Sequence, residues 1–113
     1  MKKISPNWLK KTTKKLNMRK YKIKFEDDAK VHKADIIAWY RNIDRKLAIR
    51  FRSELDKTIE IYAKHPKIGH PITPTTRKMT TKTFQYNIFY QIDEPNQMIQ
   101  ILAIRHQKRD IRV

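Results

Sequence analysis

The chain of 113 residues contains no cysteine, a single glycine and few acids: 11 Asp and Glu against 27 Lys and Arg. Without cysteine there is neither a disulfide framework nor a thiolate zinc site, which suits a reducing cytoplasm. One glycine, Gly69, excludes both the phosphate-cradling P-loop and the dinucleotide fingerprint, which need several. The two serines, Ser5 and Ser53, lie outside any nucleophile-elbow pattern. No window approaches the roughly 20 apolar residues of a membrane span. The basic N-terminus is not followed by an apolar stretch, so it does not read as a secretory signal. His32, His65, His70 and His106 are scattered, and His65 and His70 flank a proline loop without nearby carboxylates. No metal site and no cofactor is expected.

What the chain does have is positive charge. The net charge is +16 and the isoelectric point about 10.3. Such a surface attracts polyanions: RNA, DNA, a ribosome or an acidic protein. The charge is uneven. Residues 1–17 hold six lysines and no acid, residues 18–63 are a mixed +4, and residues 64–113 carry +6. The first 17 residues lack a sustained hydrophobic period and read as a basic, flexible arm. Met18 opens a new pattern, so the domain is expected over residues 18–113.

Hydrophobic periodicity orders the rest. Tyr21, Ile23 and Phe25 alternate with lysines, as in a strand with one buried side. Acids at 26–28 then introduce a helix carrying Ile36, Ile37, Trp39, Tyr40 and Ile43, running to about Asn42. Asp44 suits the N-cap of a second helix. Leu47, Phe51, Leu55, Ile59 and Tyr62 form its amphipathic stripe. The short break between the two implies an antiparallel hairpin. Residues 65–74 contain three prolines and the glycine and read as a loop. Thr75–Lys82 reads as an edge strand. In the next strand Phe84, Tyr86, Ile88, Tyr90 and Ile92 form an apolar side, with Phe89 the exception on the other. After a turn at 93–96, Met98–Ile104 is almost continuously apolar and reads as a strand covered on both faces. The expected fold is α+β, in the order β-α-α-β-β-β, with the helix hairpin packed on a small antiparallel sheet.

Chemistry concentrates where the last strand runs into Arg105, His106, Lys108 and Arg109. A rigid strand end bearing an imidazole and several cations suits a phosphate. Arg77, on a neighbouring strand, is placed to contribute from the side. Alternation sends Arg105 and His106 to opposite faces. RNA cleavage without a metal needs a base, an acid and cations for the phosphorane. His106 with Arg77, Lys108 and Arg109 offers those types. Equally, His106 can cap the strand and Arg109 can pair with Asp110. Target or nucleic-acid binding is assigned to Arg77, Arg105, Lys108 and Arg109.

Together these residues resemble the RelE/ParE toxin superfamily. The marks are Asp35-Ile36 and Trp39-Tyr40, then Ala48, Arg50-Phe51, Glu54-Leu55 and Ile59. Pro66, Gly69 and Arg77 follow. Phe84, Tyr86, Ile88 and Tyr90 lead to the closing His106-Gln107-Lys108-Arg109-Asp110. The resemblance spans about Tyr21 to Ile111 and implies a cytoplasmic toxin of a bacterial type II toxin–antitoxin pair. Its cognate antitoxin would wrap an extended, often acidic segment around it. The branch it is most similar to is ParE-like and plasmid-stabilising, through the Phe-x-Tyr-x-Ile-x-Tyr strand and the His-x-x-Arg-Asp end. That branch implies growth inhibition through DNA gyrase. RelE-like members instead cleave mRNA on the ribosome, with basic residues and a Tyr or His near the C-terminus. This chain has no Tyr or His after Asp110, but it retains Arg77, His106 and Arg109. The alternatives are therefore a RelE-like, metal-independent endoribonuclease and a non-toxic basic nucleic-acid-binding module.

Overall fold

A computed structural model describes residues 20–108; the basic arm at 1–17 and residues 109–113 lie outside the described residues. Strand β1 (Lys22–Phe25) leads into helix α1 (Asp27–Ile43) and helix α2 (Arg45–Lys64). A 3-10 turn (Pro66–Ile68) precedes β2 (His70–Pro71), β3 (Arg77–Thr80), β4 (Tyr86–Asp93) and β5 (Met98–His106). The five strands form one sheet in the order β1-β5-β4-β3-β2.

The helix hairpin forms as its sequence dictates. Asp44 ends α1 in an extended conformation, its N–H donating to Tyr40 O, and caps α2 by accepting from the Lys46 N–H at 3.0 Å. An aspartate here satisfies an orphan amide and favours the positive end of the helix dipole. From α2, Ala48, Phe51, Leu55, Ile59 and Ala63 are buried along one stripe. They meet Met79, Tyr86, Ile88, Tyr90, Ile99, Ile101 and Ile104 from the sheet. Each large side chain so buried contributes about 1.5–3 kcal/mol. Tyr40, Phe51, Phe84 and Tyr86 form an aromatic cluster with ring centroids 5.1–6.5 Å apart. Helix α1 is held more lightly. Only Ala29 is fully buried, while Val31, Trp39 and Ile43 are exposed.

Four features depart from the sequence reading. First, the sheet is mixed rather than antiparallel, because β1 runs parallel to β5, with Ile23 beside Ile99 and Phe25 beside Ile101. The hairpin of helices returns the chain to its starting end, and the last strand of the meander then turns into the sheet interior alongside β1. Second, residues 70–71 are not loop: they pair with β3, so β3 is not the edge. Third, β1 is an edge strand, and its Ile23 remains 39% exposed. Fourth, β5 is not covered on both faces. Phe89 pairs with Ala103 but Tyr90 pairs with Ile101, so Leu102 is an extra residue. This bulge reverses the alternation. Ile99 and Ile101 before it, and Ile104 after it, all reach the core, while Gln100 and Ala103 lie on the other face, only half-buried.

Candidate functional site

The bulge decides where the end of β5 points. His106 pairs with the buried Tyr86 and lies on the helix-covered face, and Arg105 is exposed on the opposite one. The His106 ring stands edge-on to Tyr86, 5.0 Å between centroids and perpendicular. Tyr86 in turn donates to the Tyr40 hydroxyl at 3.3 Å. Nδ1 of His106 accepts from the Lys108 N–H at 3.1 Å. In its neutral form the imidazole then carries its proton on Nε2. The strand end is thus capped by its own histidine, with Lys108 exposed beside it. Arg109 and Asp110 lie outside the described residues.

Arg77 is engaged elsewhere. Its Nη1 donates to Lys67 O at 2.9 Å and to Gly69 O at 2.7 Å. The guanidinium thereby clips the proline-rich segment to the sheet. Along β4, Arg77 is level with Tyr90 and His106 with Tyr86. Four residues of strand and two strand spacings separate their backbones by roughly 16 Å. A phosphorane oxygen needs its donors within about 3 Å. Arg77 and His106 therefore do not converge on one phosphate; among the described candidates, only His106 and Lys108 are brought together. Among the described residues no group of three His, Asp or Glu is placed to hold a metal.

Tyr90, beside Arg77, completes this clip. Its ring is fully buried and its hydroxyl donates to Pro66 O. Burial pushes the phenol up to about 12, against the smaller opposing effects of the Gly69 hydrogen bond and of Arg77.

A concave surface that the sequence reading missed lies between α2 and the β3–β4 turn. It encloses about 590 Å³, with Ile61, Tyr62, Ile68 and Phe84 forming its apolar part and Arg50, Lys57 and Lys82 its cations. Glu54 builds its end: Oε2 accepts from the Thr83 N–H at 2.7 Å and the Phe84 N–H at 3.3 Å, tying the turn to the helix. The available signal was Ile61 and Ile68, isoleucines off the core stripe and more than half exposed.

The match to known families falls on this same span of chain. Residues 23–111 match the family model for the ParE toxin of the type II toxin–antitoxin system parDE. The chain belongs to the ParE toxin family. Solved structures agree in fold. The chromosomal ParDE toxin–antitoxin system from P. aeruginosa includes a chain that superposes with a TM-score of 0.65 at 15% identity, covering 78% of this chain and 97% of that one. The RelBE2 complex of Mycobacterium tuberculosis includes one with a TM-score of 0.50 at 15% identity, covering 77% and 98%. No curated protein sequence matches. This ParE-family chain is thus a type II toxin, built as two helices on a five-stranded mixed sheet. Among its described residues no helix is long and apolar enough to cross a membrane.

Proposed function

We propose that this toxin arrests growth by acting on DNA gyrase in the cytoplasm, and that a cognate antitoxin neutralises it. The observation that carries the choice of target is the position of Arg77, whose guanidinium serves two loop carbonyls roughly 16 Å from His106. A ribonuclease needs cation and general acid or base on one phosphate. A toxin that works by binding gyrase needs no such convergence. The family match to ParE supports the same choice.

The groove beside α2 suits the antitoxin. Its apolar part accepts alternate side chains of an extended or helical segment, and Arg50, Lys57 and Lys82 complement acidic ones. Neutralisation is coupled folding of that segment onto the toxin.

Inducing the chain in cells that carry a reporter plasmid tests the target. Loss of negative supercoiling and a DNA-damage response are expected, unchanged in the His106→Ala variant. Growth arrest with normal supercoiling, accompanied by new mRNA 5′ ends that disappear in His106→Ala, would instead identify the RelE-like ribonuclease acting through His106 and Lys108.

A further inference from the structure

Among the described residues both helices pack on one face of the sheet, and the chemistry of the other face is specific. By register, Lys78, Phe89 and Ala103 form one row across β3, β4 and β5. Arg105 projects from the next row, diagonal to Phe89, and Lys22 and Lys24 project from β1. Phe89 is half-buried and is not among the side chains packed on the core. Among the described residues, none of these four cations makes an ion pair. The face's acid, Asp93, is bonded to Asn96 through both carboxylate oxygens. An aromatic ring thus lies on the sheet between cations on either side, with the small Ala103 as its cross-strand neighbour.

We propose that this face is a binding platform for single-stranded nucleic acid, with one base stacked on Phe89 and the backbone phosphates held by Lys78, Arg105 and the β1 lysines. Cations alone would suit any polyanion. The ring selects the single strand, because only an unpaired base offers its π-face to a side chain. The cations extend from β3 to β1 over three strand spacings, roughly 14 Å, enough for a few nucleotides. The platform is on the opposite side of the sheet from the α2 groove and does not depend on which target the toxin inhibits.

The test is fluorescence anisotropy of the purified chain with a labelled mixed-sequence 12-mer oligodeoxynucleotide, single-stranded and as a duplex, over a salt series. Single strands should bind more tightly than the duplex. Phe89→Ala should weaken single-strand binding roughly tenfold, and Phe89→Trp should preserve it. Lys78→Glu and Arg105→Glu should each lower the salt slope by about 0.7. Lys30→Glu, the same charge reversal on α1, should lower affinity far less. The proposal is overturned if the duplex binds as well, if Phe89→Ala and Phe89→Trp behave alike, or if Lys30→Glu costs as much as Arg105→Glu. It is also overturned if a glutamate-rich peptide, rather than the oligonucleotide, binds in a Phe89-dependent way.

Discussion

Gly69 has no room for a side chain. A Cβ added there would lie 2.1 Å from the Tyr90 hydroxyl oxygen and 2.8 Å from two ring carbons. The backbone at Gly69 is extended, with φ −66° and ψ 152°, so the constraint is space and not conformation. In Gly69→Ala either the ring or the segment must retreat by roughly 1 Å or more to reach ordinary contact. Neither is free to do so. The ring is fully buried against Tyr62 and its hydroxyl is bonded to Pro66 O. The segment is held by Arg77, which donates to Gly69 O itself. Overpacking costs about 1–3 kcal/mol, and a buried hydrogen bond lost in the adjustment adds about 1 kcal/mol. The expected destabilisation is therefore about 2–4 kcal/mol, or roughly 10–20 °C in Tm for a domain of this size. Urea unfolding of a double-mutant cycle checks the mechanism. In a Tyr90→Leu background, which removes the far end of the ring, Gly69→Ala should cost less than about 1 kcal/mol, a coupling well above experimental additivity. An equal cost in both backgrounds would refute the clash, as would a Gly69→Ala protein within about 0.5 kcal/mol of the parent.

Two further perturbations separate stability from action. Arg77→Met removes both carbonyl contacts and should lower stability by about 1–2 kcal/mol, the site being only partly buried; thermal melts should show the loss, while toxicity at a permissive temperature persists. If toxicity vanished from a protein that was still folded, Arg77 would be more than a clip. Tyr90 ties stability to alkaline pH. Its phenol is raised from the ordinary value near 10 to about 12 in the folded state, so the folded chain keeps a proton that the unfolded chain has lost. That contribution is whole below pH 10 and is lost as pH rises from 10 to 12. Urea midpoints of the parent, compared with Tyr90→Phe, should converge across that window; a constant difference would contradict the shift.

Much of the architecture can be read along the chain, because it depends on neighbours a few residues apart. Asp44 as a cap, the Phe51–Leu55–Ile59 stripe and the buried alternation of Tyr86, Ile88 and Tyr90 all follow from helical and strand periods. The polycationic surface follows from composition. Even Phe89, apolar on the wrong side of its strand, announces itself as a residue of the face turned away from the helices.

Other features depend on which distant segment lies alongside, and alternation carries no information about that. Nothing in Lys22–Phe25 specifies that its partner is Met98–Ile101, or that the two run parallel. The apolar run at 98–104 hides a one-residue bulge at Leu102, visible only against the register of β4, and that single residue sends His106 to the covered face. Arg77 read as a free cation because its partners, the carbonyls of Lys67 and Gly69, are backbone atoms carrying no side-chain signature. The sequence by itself determined the two helices, the buried sides of α2 and β4 and the surplus of positive charge, since these arise from local sterics and hydropathy. Only the tertiary structure decided which cations converge, because convergence is set by strand partnership, register and the loop that β3 holds in place.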